Sequence, residues 1–384
     1  MYVIRRPILP AYTTTVTGPH GLRMAIEKLL PDFYPLRSGF TSGSCATAAA
    51  KAALTALLTG KKEKHIAITL PDGEQVELPV DSIEIAPDML CATAFVVKNA
   101  GDDPDVTNGI RIGARITFTS TSGIHFLQGE GVGRITLPGL GLEIGAPAIN
   151  MTPRNMITNE LSTLCPTQGI NVTIFVPGGA DIAKRTFNPK LGIVGGISII
   201  GTSGIVRPFS AEAFVHSIRR EIEVCQAVGA ERLVINSGAR SERYLKELYP
   251  NLPPQAFVQY GNFIGDTIRM ANQIGVKKIT LGVMLGKAVK LAEGKLDTHS
   301  RKSVMNRDFL FAQATDCGCS HNTLQAISHI TLARELWSLL PSSEADVFFP
   351  HLLALCHKHV DPLLPQGKIL IVLIDENGCI RYHL

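Results

Sequence analysis

Tryptophan occurs once in this 384-residue chain, aromatic residues make up 6% of it, and charged residues only 18%. With 45% hydrophobic residues against so little charge, a disordered chain is excluded. No run reaches the roughly 18 consecutive apolar residues that a membrane helix needs. The start, MYVIRRPILP, shows neither an apolar signal core nor a small-residue cleavage site, so a cytoplasmic location is expected. A net charge of +4 without a long basic run interleaved with aromatics argues against nucleic acid and suits an acidic small-molecule ligand. The eight cysteines, at Cys45, Cys91, Cys165, Cys225, Cys317, Cys319, Cys356 and Cys379, lack the dense spacing of a secreted disulfide framework and read as reduced thiols.

What the chain does have is 35 glycines and 23 prolines, the mark of a loop-rich globular protein. Its length exceeds what one hydrophobic core holds, so two domains are expected. Residues 1–35 read as a leader packing on the body, with GLRMAIEKLL as a short helix. Residues 36–191 read as a mixed α+β domain. There HIAITLPDGEQVELPV forms two strands around a Pro71-Asp72-Gly73 turn, CATAFVVKNA and RIGARITFTS are further strands, TPRNMITNELSTL is a helix and GINVTIFVP a buried strand. Residues 192–384 change rhythm. GIVGGISIIG, RLVINS and VKKITLGVML read as strands alternating with the helices SAEAFVHSIRREIEVCQAVG and GNFIGDTIRMANQIG, followed by a mainly helical part and a final strand in KILIVLI. The fold class is therefore α/β and α+β, the second domain carrying a mainly parallel sheet. Ligands bind at the carboxyl ends of such strands, where Gly201-Thr202-Ser203-Gly204, Asn236-Ser237-Gly238 and Leu285-Gly286-Lys287 are expected to line one crevice.

The most informative stretch is LRSGFTSGSCATAAAKAAL, residues 36–54, where a loop built on Gly39 and Gly43 feeds an alanine-rich helix beginning near Ser44. Thr41, Ser42 and Ser44 offer hydroxyls and a cap, and free amides at the helix start would favour an anionic or electron-rich ligand group. A well-capped helix whose alanines pack on a sheet is the alternative. Gly101-Asp102-Asp103-Pro104-Asp105 sets three carboxylates within five residues, which needs compensation by a cation, amides or other donors. Pro104 breaks a calcium-loop spacing, which favours a hydrogen-bonded or ligand-contacting turn over a metal site. Gly129-Glu130-Gly131-Val132-Gly133-Arg134 has the outline of a dinucleotide fingerprint, but its glycines are misplaced and no helix follows. Arginines beside glycine loops suit a ligand with several carboxylates, each arginine being by itself an ordinary surface charge. In Thr298-His299-Ser300-Arg301 the neighbouring arginine would keep His299 neutral, able to act as a base. Cys317-Gly-Cys319-Ser-His321 and Cys356-His357-Lys-His359 lack zinc spacing, and no protein-held metal is expected.

In this order, LRSGFTSGSCATAAAKAAL, VKNAGDDPDVTNG, GEGVGRITLPGL, GAPAINMTPRNMI, TFNPKLGIVGGISIIGTSGIVRP, GNFIG and THSR closely resemble the cobalt-precorrin-5B C1-methyltransferase family of anaerobic cobalamin synthesis. The resemblance spans about residues 36–316. Serine stands at Ser38, Ser42 and Ser44 where threonine is expected, keeping the hydroxyl. The resemblance implies methyl transfer from S-adenosylmethionine to carbon 1 of a ring-contracted cobalt tetrapyrrole, giving cobalt-precorrin-6A and S-adenosylhomocysteine. Cobalt then enters only as part of the substrate. On that footing Gly201, Thr202, Ser203, Gly204 and Gly286 are expected to bind the methyl donor. Arg37, Thr41, Ser42, Arg154 and Arg207, with His299, are expected to contact the tetrapyrrole, and His299 or Asp103 to relay a proton. Neither membrane nor nucleic acid is an expected partner, and the sequence leaves room for a homo-oligomer. A small-molecule kinase with a glycine-rich phosphate loop and a non-catalytic tetrapyrrole carrier are the alternatives. The kinase lacks a P-loop lysine and an evident magnesium pair, and neither alternative would bind S-adenosylhomocysteine.

Overall fold

The computed structural model describes residues 36–299 and 304–384. The expected leader over residues 1–35, its short helix included, lies outside the described residues, as do Ser300 and Arg301.

A first core gathers around one helix. The short strand β1 (Gly39–Phe40) turns into α1 (Ser42–Thr59), whose alanines Ala46, Ala48, Ala49, Ala50, Ala53 and Ala56 are wholly buried. A helix with alanine on nearly every side is enclosed along most of its length, and alanine lets neighbouring backbones approach it. A hairpin of β2 (His65–Thr69) and β3 (Gln75–Pro79) forms around the expected turn. Strands β4 (Ser82–Ile85), β5 (Cys91–Val97), β6 (Arg111–Thr119) and β7 (Ile124–Gln128) follow, then β8 (Arg134–Ile135), α2 (Met151–Leu164), β9 (Gly169–Phe175), α3 (Gly179–Ala183), β10 (Ile193–Val194) and β11 (Ile205–Val206). The main sheet runs β4-β5-β6-β9-β7, antiparallel except for the parallel β7–β9 pair. The side chains of β5 alternate between buried and half-buried, as a strand with one covered face requires. Helix α1 packs against β5, β6 and α2.

The second core holds α4 (Ala211–Ala227), β12 (Leu233–Asn236), α5 (Ala239–Leu248), β13 (Phe257–Gln259), α6 (Ile264–Ile274), β14 (Lys278–Met284) and α7 (Leu285–Ala292). It continues with α8 (Arg307–Asp316), α9 (His321–Ile327), α10 (Leu336–Leu339), α11 (Ser342–Val360), β15 (Lys368–Ile374) and β16 (Ile380–His383). The sheet order is β13-β12-β14-β15-β16, parallel except for the last strand. All four residues of β12 are buried, as are most of β14 and β15, which is why these strands read as continuous apolar runs. The mixed α/β and α+β class expected from the sequence is the class observed. Among the described residues no helix is long and apolar enough to cross a membrane.

Three local readings are corrected. Helix α1 starts at Ser42, because the Thr41 hydroxyl caps it by accepting from the Ser44 amide at 3.2 Å. GIVGGISIIG is not a continuous strand. Gly192 and Gly195, at φ 72° and 83°, break the extended backbone, leaving β10 paired with β8 and single bridges at Ile197 and Ile199. The 201–204 loop consequently ends no strand of the parallel sheet, and β11 instead pairs antiparallel with β1 in the first core. The structure also contains α5, β13 and β16, which had no counterpart in the sequence reading.

Because Ala49 is enclosed by protein on all sides, Ala49→Leu should overpack the first core and destabilise the chain by about 1–3 kcal/mol. Denaturant unfolding of both proteins measures this.

Candidate active site

The start of α1 is fastened from outside its own segment. Gly43 donates its amide to Ile200 O at 2.9 Å, Ser42 Oγ accepts from the Ile200 amide at 2.9 Å, and Ser44 Oγ donates to Gly204 O at 2.7 Å. The amide of Thr41 donates to the same Gly204 carbonyl at 3.0 Å. The amides of Gly43 and Ser44, expected to be free for a ligand, therefore serve the protein itself. Thr41 and Ser42 are buried and hold the 198–204 segment. Gly201 is explained by packing, since a Cβ there would lie 2.3 Å from Thr41 Oγ1, and Gly204 by its φ of 80°. Thr202 and Ser203 at the tip are exposed.

The acidic loop divides its three carboxylates among three partners. Asp102 accepts the Arg37 guanidinium at 2.8 Å on the surface. Asp105 meets the ammonium of Lys98 at 2.6 Å, and that lysine is only 2% exposed. Burial disfavours the charge of Asp105, but the Lys98 ammonium and donors from Thr107 outweigh it and hold the carboxyl below the usual aspartate range. Asp103 Oδ1 accepts the amide of Phe209 at 3.1 Å, across 106 positions of sequence.

Phe209 belongs to the short connection between β11 of the first core and α4 of the second, and its φ is 55°. For a bulky residue the left-handed region costs about 1–2 kcal/mol, so the Asp103 bond holds a strained joint. Beyond it the Phe214 ring lies 5.6 Å from that of Phe263 and fills the space a Cβ on Gly261 would need. Phe263 bridges to Asp297, and Asp297 Oδ1 accepts the His299 amide at 3.1 Å. Lys287 Nζ donates to Gly261 O, to Asn262 Oδ1 at 2.7 Å and to Thr298 Oγ1 at 3.2 Å. The Asp103 bond thus ties the acidic loop of the first core to the connection that enters α4, and a separate set of contacts within the second core joins Phe263, Lys287 and Thr298 to the Asp297–His299 turn.

The predicted residues fall into distinct places. Arg207, in the same connection, is exposed and has no hydrogen bond or ion pair among the described residues. Arg154 lies elsewhere, donating to Ile149 O at 2.8 Å and stacking over Phe126, with burial lowering its pKa. Gly286 sits in the first turn of α7, in the second core, and not with the 201–204 loop. Sequence reasoning missed Phe209, since nothing local marks a left-handed phenylalanine, and it placed Lys287 in the crevice loop without its bonds to Asn262 and Thr298. A separate cavity of about 360 Å³ lies beside Trp337, Phe349 and Tyr382, but its charged groups face one another, Asp375 pairing with Arg381 at 2.6 Å. Among the described residues no three His, Cys, Asp or Glu side chains are grouped to hold a metal ion.

Comparison with known proteins adds a second line of observation. The family model described as CbiD matches residues 31–208, and that described as CbiD, C-terminal domain, matches residues 297–383. The cobalt-precorrin-5B C(1)-methyltransferase of Prosthecochloris aestuarii is 42% identical over 354 residues, 90% of this chain and 95% of that protein. Its namesake from Geobacillus kaustophilus is 41% identical over 325 residues, 84% of this chain and 87% of that protein. A third, from Pseudomonas fluorescens, is 39% identical over 357 residues, 91% and 96% of the two chains. A crystal structure of a cobalamin biosynthesis protein (cbiD) from Archaeoglobus fulgidus is 28% identical and covers 70% of this chain and 83% of its own, with a TM-score of 0.37.

Two outcomes follow from the loop. Asp105→Asn leaves the Lys98 ammonium buried without a counter-charge and should cost about 3–5 kcal/mol near neutral pH. Because the folded carboxyl titrates below its unfolded value of about 3.9, the wild-type advantage should persist above that value and vanish as pH falls through the lowered folded one. Urea unfolding of both proteins, near neutrality and near pH ~3, reads this. Asp103→Ala strands the Phe209 amide and should lose about 1–3 kcal/mol, whereas Asp103→Asn keeps an acceptor and should lose less than half of that in the same assay.

Proposed function

The chain belongs to the CbiD family, and on that premise we propose that it is a cytoplasmic enzyme that methylates carbon 1 of cobalt-precorrin-5B with S-adenosylmethionine as donor, on the route to cobalamin. The observation that carries this reading is the identity of about 40% to proteins of that name over nearly their whole length. The geometry is compatible with it. The substrate is broad, flat and rich in carboxylates. In the connection between the cores the exposed Arg207 guanidinium, unpaired among the described residues, has a planar fork that suits a carboxylate.

A methyl sulfonium is already an electrophile. Carbon 1 of the macrocycle supplies the electron pair for the new C–C bond, the C–S bond breaks, and the donor leaves as neutral S-adenosylhomocysteine. A proton then departs from the methylated ring. The protein's task is to hold the two partners in line, for which proximity and orientation can contribute roughly 7–11 kcal/mol. A covalent nucleophile is not required. In this reading Arg207 anchors a peripheral carboxylate, Arg37 being paired with Asp102, and His299 is the imidazole assigned to take the departing proton.

Incubating the protein with cobalt-precorrin-5B and methyl-deuterated S-adenosylmethionine should add one labelled methyl group to the tetrapyrrole, read by mass spectrometry. Substrate that binds but acquires no label would replace this reading with that of a tetrapyrrole carrier.

A further inference from the structure

Glycine is used in a folded chain for one of two internal reasons: a left-handed backbone, or a neighbour too close for a Cβ. Every glycine among the described residues meets one of these conditions except two, Gly238 and Gly286. At both, an added Cβ would touch nothing within 4 Å. Gly238 has φ 162°, an extended conformation open to any residue. Gly286 is helical in the first turn of α7, where alanine would be the better helix former. The protein's own packing therefore asks for neither.

Their positions coincide with a feature of the sheet. The chain runs from β12 to β13 on one side, then crosses back to place β14 on the other side of β12, and continues outward to β15. The direction of winding reverses between β12 and β14, and in doubly wound sheets the carboxyl ends of the two strands flanking such a reversal open a ligand crevice. Gly238 lies two residues beyond the end of β12, and Gly286 two beyond the end of β14. Two glycines without an internal reason thus flank the point at which the topology opens a cleft. The turn that leaves β12 is small and polar. Asn236 is fixed by bonds to Val258 O and the Gly238 amide, and Ser237 lies beside Ser241 at 3.2 Å. Lys287, next to Gly286, ties this cleft to the turn leading to His299.

Resting on the methyl-transfer reading above, we propose that the adenosyl donor binds in this crevice, with Gly238 and Gly286 letting its atoms approach the backbone more closely than a Cβ would allow. This separates the donor from the 201–204 loop, whose glycines are already accounted for by their contacts with α1 and by φ.

The test is calorimetric titration of S-adenosylhomocysteine into the full chain, wild type and the variants Gly238→Ala and Gly286→Ala, with thermal unfolding of each. Both variants should unfold at or above the wild-type temperature while their affinity for S-adenosylhomocysteine falls at least tenfold. Unchanged affinity in both variants would overturn the site and leave the methyl-transfer reading intact. So would a marked loss of stability, because it would reveal an internal reason for the glycines. In a Ser203→Ala variant titrated alongside, a fall in affinity seen there and in neither glycine variant would return the donor to the 201–204 loop. Wild-type protein that binds no S-adenosylhomocysteine, alone or with cobalt-precorrin-5B, would overturn the donor reading and this inference with it.

Discussion

An ammonium group sealed inside the first core is the fixed point of this molecule. Lys98 stands just past the end of β5, almost without solvent, and among the described residues only the carboxylate of Asp105 balances its charge. Such a pair adds little net stability compared with an apolar core, but once built it tolerates the loss of neither partner. It therefore pins the 101–105 loop in one place. From that anchored loop Asp102 reaches back to Arg37 and Asp103 reaches forward to Phe209, so the segment entering the first core and the segment leaving it are both held by the same five residues. The pairing of Lys190 with the buried Glu221 at 2.6 Å adds a second tie between the cores.

The parts of the fold legible in sequence were those whose pattern is set locally. LVIN, KITLGVM and KILIVLI are strands covered on both faces, and full burial leaves a continuous apolar run. The hairpin around Gly73 and the alanine-rich helix announce themselves by turn chemistry and by composition. GIVGGISIIG misled because its isoleucines are buried one at a time against separate partners, a use that mimics a strand in composition while the glycines interrupt the ladder. Helix α5 went unseen because Leu245 is the only apolar side chain it buries, and β13 because three residues carry no period.

The candidate site was legible by residue type but not by arrangement. Asp103, His299 and Arg207 stood out as chemistry-bearing residues beside glycine loops; Asp103 bonds the Phe209 amide two residues from Arg207, while the His299 amide is held by Asp297 in a turn packed on the second core. Thr41, Ser42 and Arg154 carried the same chemical promise, yet their polar atoms are consumed in holding backbone segments together. A hydroxyl or guanidinium looks alike in sequence whether its partner is a ligand or a carbonyl 150 residues away. Glycine is ambiguous in the same manner, because only the surroundings of the missing side chain tell a tight contact from an open space.

The second sheet ends in two blunt borders. On one side β13 is three residues long, and on the other the four-residue β16 runs antiparallel to β15, pairs through an irregular register, and turns Arg381 and His383 to solvent. Behind β16 lies KILIVLI, a seven-residue run of the kind that stacks into cross-β fibrils when its edge is bare. Four residues with charge at their outer face are thus the guard on the most self-adhesive segment of the second core. Removing β16 would bare the backbone edge of Val372–Ile374 and leave β15 open to pairing with another chain.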